Sequence, residues 1–381
     1  MADVVAFVID AGSACCKAGL SCKDEPDVVF KTAVGHQAFP EVQGMFSSER
    51  WREMNFVADE LVRKAAVSDI VHPISRGVIT NWEDMEYVWD YCFDKVRSEE
   101  HPLVLSTSVY SSRAQNHKIC EIMFEKYKVP SLYMVPEPLL CCYGLNIKTG
   151  LLISSGADVT TVLPMYEGYP IYSAIQNAGY GSNDVTKQLI KLLTESGRYL
   201  NTPSEIRIAD AIKETLGATY QSAEEFYKYH PAECFGQCPK EHKDLYYTLP
   251  DGQIMNIGRE SYECMEVMFT YSEKIGQRGG IPRLLEQSVA ACPIFIRKSV
   301  RENIYLAGGC TNSSGFKERI SSEVKAYNTV TGAQDNRFCA WRGGGVLARM
   351  ESFKEICLVN SRYEESEICE YFPMPNHVAI N

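Results

Sequence analysis

The chain has 381 residues, of which 45% are hydrophobic and 23% are charged, a balance that excludes disordered, collagen-like and coiled-coil proteins. Its formal net charge of −11 argues against a general binder of nucleic acids. No apolar run approaches the ~18 residues of a membrane span, and the first residues lack the basic segment of a secretory signal peptide. The 15 scattered cysteines favour reduced thiols in a cytosolic-type compartment over a disulfide framework.

Two parts of the chain repeat one pattern, in which an apolar run leads into small turn residues and a second run. The pattern predicts a β-hairpin at residues 6–20, with Gly12, Ser13 and Ala14 in its turn. A second hairpin is predicted at residues 151–163, with Gly156 and Ala157 in its turn. One such hairpin in each half indicates an internal duplication.

Strand and helix patterns alternate between and after the hairpins. Apolar runs predict buried strands at residues 103–105 and 304–307. Helical spacing predicts helices at residues 82–96, 114–126, 183–194, 203–216 and 282–291, the first with Asn81 as its N-cap. This alternation predicts an α/β fold in both halves.

Three polar or proline-containing segments interrupt these patterns, at residues 35–55, 227–244 and 364–381. The second contains two histidines and two cysteines, a ligand set that suits tetrahedral zinc. Proline and glycine between them would break any helix that aligned them, so a solvated loop is the alternative. The four residues are His230, Cys234, Cys238 and His242.

Six segments in this order resemble actin and the actin-related proteins, and the likeness runs from about residue 4 to about residue 366. They are residues 9–19 (IDAGSACCKAG), 77–86 (GVITNWEDME), 164–169 (PMYEGY), 249–253 (LPDGQ), 306–311 (LAGGCT) and 341–348 (WRGGGVLA). The resemblance implies an actin-like fold of two duplicated ribonuclease-H-like α/β domains, with a nucleotide cleft between them. The small domain would be residues 1–144 plus 346–381, with 35–72 as its contact-loop subdomain. The large domain would be residues 145–345, with 183–275 as its outer subdomain.

The first hairpin keeps most of the family's phosphate-binding residues. The resemblance implies a cradle of backbone N–H groups at Gly12, Ser13 and Ala14, where small side chains let a phosphate approach. Lys17 matches the lysine that reaches the phosphates, and Asp10 matches the acid that holds the metal through water. A solvated surface pair is the alternative for Asp10 and Lys17.

The second hairpin departs from the family. Ser154 and Ala157 replace two acids, which weakens a Mg²⁺ or Ca²⁺ site because these cations prefer carboxylate oxygens. The resemblance implies that Gly156, Asp158 and Val159 bind the nucleotide, and Asp158 replaces a glycine. It is a candidate metal ligand, but its charge near a terminal phosphate would favour ADP or an empty site.

Two further substitutions affect hydrolysis. Glu137 stands where the family has its water-positioning glutamine, and Thr161 replaces a histidine. Because such groups each contribute ~10²–10⁴ in rate, we expect very slow hydrolysis. Glu137 stays the one candidate catalytic base.

The resemblance also assigns residues around the ribose and base of ATP or ADP, although Asn312 and Ser313 replace the Met and Tyr that flank the base. The matching residues are Lys213, Glu214, Gly308 and Gly309, and Arg337 replaces a lysine over the base while keeping a group able to stack there.

Two loops that build the family's filament are altered. Residues 35–55 correspond to its contact loop, and residues 269–280 correspond to its plug loop, with charges at Glu273 and Lys274. These changes argue against a conventional homofilament, unless the loops vary freely. In contrast, a groove that accepts an amphipathic helix in the family keeps its lining residues, although Leu347 suits a core position equally well. The groove residues are Tyr143, Tyr169, Leu347, Met350 and Phe353.

We therefore expect a structural subunit of a larger cytoskeletal assembly in the cytoplasm. Its partners would be proteins, such as actin or actin-related subunits, with no direct contact to nucleic acid or membrane. It would bind ATP or ADP with Mg²⁺ or Ca²⁺ and hydrolyse little or none. Two alternatives stay open: a filament-forming ATPase of the actin type, and an actin-related subunit of a nuclear chromatin-remodelling complex.

Overall fold

A computed structural model describes residues 4–37, 55–64, 68–96, 100–200, 202–229, 245–270, 280–324 and 329–363. The chain divides into two compact units. Unit 1 comprises Met1–Ile147 and Arg337–Asn381, and unit 2 comprises Lys148–Asn336. Within the described ranges, no helix has both the length and the apolar character needed to cross a membrane.

The described strands are short and mostly buried. In chain order they are β1 (Phe7–Ala11), β2 (Cys15–Leu20), β3 (Val28–Lys31), β4 (Val34–Gln37), β5 (Ser68–Val71), β6 (Ile74–Ser75), β7 (Val78–Ile79), β8 (Leu103–Thr107), β9 (Ser131–Pro136), β10 (Gly150–Ser155), β11 (Thr160–Tyr166), β12 (Tyr169–Pro170), β13 (Gln176–Ala178), β14 (Leu245–Thr248), β15 (Ile254–Ile257), β16 (Asn303–Ala307), β17 (Thr329–Gly332) and β18 (Leu358–Val359).

The described α-helices vary from one turn to four. In chain order they are α1 (Ala58–Lys64), α2 (Trp82–Val96), α3 (Arg113–Glu121), α4 (Glu137–Gly144), α5 (Ser182–Glu195), α6 (Pro203–Leu216), α7 (Ala223–Tyr229), α8 (Glu260–Glu263), α9 (Gly280–Ala291), α10 (Arg297–Arg301), α11 (Phe316–Glu323), α12 (Cys339–Ala348), α13 (Phe353–Ile356) and α14 (Asn360–Tyr363).

The main sheets of the two units have the same topology. In unit 1 the strand order is β18-β9-β8-β1-β2-β3, and in unit 2 it is β17-β16-β10-β11-β12. In each sheet the first strand pairs antiparallel with its hairpin partner and parallel with a later strand, β8 in unit 1 and β16 in unit 2. The duplication predicted from the two hairpins is therefore confirmed. Both first strands are almost fully buried, because each has neighbours on both sides and helices against the sheet.

Local sequence signals fix several helix ends. Thr202 caps α6 by accepting a hydrogen bond from the Glu205 amide, while Pro203 occupies the first turn, where its missing N–H costs nothing. Asn81 accepts a hydrogen bond from the Asp84 amide at 3.1 Å, which confirms its predicted role at the start of α2.

The helix predicted at residues 114–126 ends differently from the sequence pattern. α3 continues into a π-helical turn at Ile122–Lys126, in which the Tyr127 amide donates to the Ile122 carbonyl at 3.2 Å. The wider turn lets three consecutive apolar residues, Ile122–Phe124, become buried.

Glycines allow close packing of α4 against α12 within unit 1. A Cβ atom at Gly343 would lie 1.8 Å from the Leu140 carbonyl oxygen, and one at Gly144 would lie 2.4 Å from the Cys339 carbonyl oxygen. Neither position has room for a larger residue, which explains the glycine at each of them.

Candidate functional site

The two equivalent hairpins close with the same hydrogen bond. The Gly12 amide donates to the Cys15 carbonyl at 3.1 Å, and the Gly156 amide donates to the Val159 carbonyl at 2.9 Å. Ser13 and Ala14 therefore occupy the first turn, as Ala157 and Asp158 occupy the second. The space around Gly12 is restricted, since a Cβ atom there would lie 3.3 Å from the Cys15 carbonyl oxygen.

The first hairpin holds a charged pair whose carboxylate is buried and whose lysine is half-buried. Asp10 on β1 lies opposite Lys17 on β2, with 2.8 Å between Asp10 Oδ2 and Lys17 Nζ. The second carboxylate oxygen accepts a 2.8 Å hydrogen bond from Ser106 Oγ at the end of β8. Burial alone would lower the pKa of Lys17, but the charge and hydrogen bond of Asp10 outweigh it, and the pKa is raised. Lys17 is therefore cationic throughout the physiological pH range.

Glu137 is also electrostatically linked to this pair. It is the first residue of α4, its charge contributes to the raised pKa of Lys17, and its Oε1 accepts a 3.0 Å hydrogen bond from Cys141 Sγ one helical turn later. Pro136 and Pro138 flank it and set the start of the helix. Burial, with the charge of Glu137 adding to it, raises the pKa of Cys141 well above the usual thiol range.

The second hairpin replaces the charged pair with neutral groups. At the positions equivalent to Asp10 and Lys17, Ser154 lies opposite Thr161, and both are buried. Thr161 Oγ1 donates to Asn177 Oδ1 at 3.2 Å. Next to them, the hydroxyls of Ser155 and Thr160 lie 2.9 Å apart. This hairpin is stabilised by hydroxyl contacts where the first uses an ion pair.

Helix α5 packs its first turn against the second hairpin. The carbonyl oxygens of Gly156 and Ala157 accept hydrogen bonds from the amides of Ser182 and Asn183, at 3.0 and 2.8 Å. The approach is possible because Gly181 has no side chain: a Cβ atom there would lie 2.5 Å from the Ala157 carbonyl oxygen. The amide groups of this helix start are thus used by the hairpin.

The carboxylate of Asp158, the candidate metal ligand, is hydrogen-bonded within unit 2. Its Oδ1 accepts a 2.7 Å hydrogen bond from Asn183 Nδ2 on α5. Lys213 is similarly occupied on α6, where its Nζ donates to Ser182 O, Thr186 Oγ1 and Asp210 Oδ1 at 3.1, 2.8 and 2.5 Å. Glu214, the next residue, is exposed.

Gly308 holds the end of β16 close to the end of β10. Its φ of 84° is in the left-handed region, and a Cβ atom would lie 2.2 Å from the Ser155 carbonyl oxygen. Gly309 is exposed. Asn312 Nδ2 donates a 2.9 Å hydrogen bond to Asp335 Oδ1. In unit 1, the Arg337 guanidinium stacks at 5.4 Å over the ring of its neighbour Phe338.

The predicted groove residues differ in exposure. In unit 1, Leu347 and Phe353 are core residues, with exposed fractions of 2% and 0%, while Tyr143 is half-buried and Met350 is exposed. In unit 2, Tyr169 is 75% exposed. Burial favours the core position that the sequence left open for Leu347 and places Phe353 in the core as well, and the groove stays a prediction.

Several sequence-based expectations concern residues outside the described ranges. They are the contact loop at 38–54, the plug-loop charges Glu273 and Lys274, and the zinc-ligand candidates His230, Cys234, Cys238 and His242. Among the residues that are described, no group of three or more His, Cys, Asp or Glu is arranged to hold a metal ion. The cysteines of the described ranges are free thiols.

Sequence reasoning missed the groups that hold the site residues in place. Ser106 donates a hydrogen bond to Asp10, and Asn183 donates one to Asp158. Asp210 forms an ion pair with Lys213. Ser106 carried a signal as a polar residue at the end of a buried apolar strand, and Asp210 carried one because it lies three residues before Lys213 on the predicted helix. Asn183 has no such signal, because its contact depends on how α5 packs against the hairpin.

The residues present fit a phosphate group better than a divalent metal. In the described chain, the amides of Ser13 and Ala14 donate no hydrogen bond, and they lie in a turn of small side chains on the same hairpin as the half-buried Lys17. The carboxylates of the two hairpins, Asp10 and Asp158, are each already hydrogen-bonded inside their own unit. Comparison with protein-family models agrees with the likeness seen in the sequence, since the model described as Actin matches residues 1–370.

Proposed function

This chain belongs to the actin family, and we propose that it acts as a structural subunit of a larger cytoskeletal assembly in the cytoplasm, binding ATP or ADP with little or no hydrolysis. Its partners would be proteins, such as actin or other members of the family. Nucleotide would stabilise the fold as a bound ligand does, by binding the native state only.

The difference between the two hairpins carries this proposal. The first retains a small-residue turn and a half-buried Lys17, which together suit a phosphate. The second has a hydroxyl pair, Ser154 and Thr161, where the first has Asp10 and Lys17. The first hairpin therefore supports binding of the nucleotide's phosphates, while Ser154 and Ala157 replace two of the carboxylates that the resemblance implies around the metal.

The environment of Glu137 also favours a non-hydrolysing protein. Its carboxylate is the acceptor for the buried Cys141 thiol and lies in the field of Lys17. A carboxylate in this position repels a terminal phosphate, whereas an amide would orient water without that charge. The change of side chain thus weakens both nucleotide binding and hydrolysis.

The test is the nucleotide content of the purified full-length protein, measured by acid release and chromatography, with and without a chelator. We expect acid to release ATP or ADP from the purified protein. We expect the native protein to retain this nucleotide when it is incubated with the chelator. A Lys17→Met variant should lose it, while Lys187→Met, which removes an exposed lysine of unit 2, should keep it.

Two results would contradict the proposal. Protein that carries no nucleotide and binds none when ATP is added would remove the nucleotide claim. Rapid metal-dependent release of phosphate would instead support an actin-type ATPase. Persistence of ATP over hours, with stoichiometry unchanged by chelator, is the outcome expected for a static ligand.

A further inference from the structure

Lys213 is the lysine of unit 2 that the resemblance assigns to the ribose and base, and its hydrogen-bonding capacity is already used. Its ammonium group has three N–H donors. They donate to Ser182 O, Thr186 Oγ1 and Asp210 Oδ1 at 3.1, 2.8 and 2.5 Å. The side chain of Lys213 is only 9% exposed. A ribose hydroxyl would therefore bind Lys213 only if one of these acceptors gave way.

These contacts join α5 to α6 in one hydrogen-bond network. The Thr186 hydroxyl accepts from Lys213 and donates to Asp210 Oδ1 at 2.7 Å. Ser182 is the first residue of α5, and Thr186 follows one turn later. Withdrawing Lys213 from the network would leave partly buried acceptors without a donor. Such a loss costs more free energy than one new hydrogen bond to a ribose returns.

The two residues that replace the base-flanking Met and Tyr are also engaged within unit 2. Asn312 Nδ2 donates to Asp335 Oδ1 at 2.9 Å, and Asn312 Oδ1 accepts from the Asn336 amide at 3.1 Å. The hydroxyls of Ser313 and Thr219 lie 3.1 Å apart. Both replacements are small polar side chains, so neither offers an apolar or aromatic face against which a base would stack.

The first hairpin, in unit 1, is in the opposite condition. The Lys17 ammonium uses one of its three donors, toward Asp10 at 2.8 Å, and the described ranges contain no acceptor for the other two. The amides of Ser13 and Ala14 likewise donate no hydrogen bond within those ranges. Amides in a turn of small residues, together with a lysine of the same hairpin, recognise phosphate oxygens, which every polyphosphate carries.

We propose that this protein selects its ligand by the phosphates and not by the base, so that nucleoside triphosphates of any base and inorganic tripolyphosphate bind with similar affinity. This inference rests on the proposed function and specifies the ligand class of that site. A site discriminates strongly when one ligand satisfies its buried polar groups and another leaves them unpaired. Lys213, Asn312 and Ser313 impose no such penalty, because each keeps its own partners whichever base is present.

The experiment is isothermal titration calorimetry of the nucleotide-free full chain with ATP, GTP, CTP and sodium tripolyphosphate, at one fixed magnesium concentration. We expect the four dissociation constants to lie within about tenfold of one another. Lys17→Met should weaken the binding of all four ligands by the same factor, since each of them meets that lysine through its phosphates.

A second variant tests the role of Lys213. Asp210→Ala removes one of its three acceptors and leaves an N–H donor available to a ribose hydroxyl. Binding of ATP, GTP and CTP should then strengthen by about threefold relative to tripolyphosphate, which has no ribose. The matched control Glu195→Ala removes the partner of Lys191, an exposed lysine on α5, and should leave all four dissociation constants unchanged.

Several results would overturn this inference while leaving the proposed function intact. They are a preference for ATP of more than about tenfold over GTP, CTP or tripolyphosphate, and a Lys17→Met variant that loses ATP but keeps tripolyphosphate. An unchanged ratio of ATP to tripolyphosphate affinity in folded Asp210→Ala would contradict the role given to Lys213. Folded protein that binds none of the four ligands would overturn both the inference and the proposed function.

Discussion

Asp10, which is buried, and Lys17, which is half-buried, form an ion pair directly across the first hairpin, and the hairpin that repeats it in the second unit has no charge at either position. The backbone of the motif was duplicated, and its chemistry now differs between the copies. A charged pair costs free energy to bury, so its retention in one copy alone is consistent with a ligand that uses it there.

The Asp10–Lys17 pair should contribute strongly to stability. Lys17→Met leaves the carboxylate of Asp10, which is 2% exposed, without its counter-charge. We expect a loss of about 3–5 kcal/mol in the free energy of unfolding, as found when one partner of a buried pair is removed. Guanidinium titration of the nucleotide-free protein measures it. Lys23→Met, at an exposed pair with Asp27, is the control and should change stability little.

The difference in the free energy of unfolding between the wild type and Lys17→Met should depend on pH in one direction. The pKa of Lys17 is raised in the folded protein, so its contribution is fully present below the unfolded value of about 10.4 and is lost as pH rises through the folded value. The stability gap between wild type and Lys17→Met should therefore be constant from neutral pH to about pH 10 and narrow above it. A gap that narrows below pH 9 would contradict the assignment.

Two glycines with the same backbone angle should tolerate alanine differently. Gly308 and Gly168 have φ values of 84° and 83°, but only Gly308 has the Ser155 carbonyl oxygen 2.2 Å from a Cβ position, while Gly168 has nothing within 4 Å. Gly168→Ala should cost about 1 kcal/mol, the penalty of the left-handed conformation alone. Gly308→Ala should cost at least ~2 kcal/mol more, because the strand ends must separate. Similar denaturation midpoints for the two variants would show that the ends of β10 and β16 can separate at little cost in free energy.

Thiol reactivity should follow exposure. Cys22 is exposed, whereas Cys16 is buried 3.6 Å from Cys92 Sγ, and its pKa is raised by the contact with Cys92 and by burial. Burial also raises the pKa of Cys120 to about 12. Because the thiolate is the reactive form, iodoacetamide at pH 8 should modify Cys22 first among these four cysteines.

Peptide mass spectrometry measures the order of modification, and the same reaction in denaturant is the control that labels all four. Early labelling of Cys16 in the native protein would mean that the core of unit 1 opens on the timescale of the reaction.

Restoring one family residue should not restore hydrolysis. Glu137→Gln returns the water-positioning amide, but Ser154, Ala157 and Thr161 are still substituted, and groups that act together have non-additive effects. We expect phosphate release to change by less than about tenfold in Glu137→Gln. The variant that also carries Ser154→Asp, Ala157→Asp and Thr161→His should release phosphate faster and only with metal. Full activity in Glu137→Gln alone would show that the second hairpin is not what limits the rate.

The sequence by itself determined the local elements and the family. Both hairpins, α2 and α6 lie where apolar periodicity and capping residues predicted them. Such signals are local: a cap residue, a proline in the first turn and an alternating run act over a few neighbouring positions. The repeated turn also predicted the duplication that the two sheet orders confirm.

Only the tertiary structure decided which side chains are available to a ligand or partner. Asp158 is engaged by Asn183 on α5, and Lys213 on α6 is engaged by Ser182 and Thr186 of α5. Phe353 is buried, while Phe295, equally apolar, is exposed. Burial and hydrogen-bond partners depend on contacts between segments distant in sequence, and identical residue types therefore end in opposite environments.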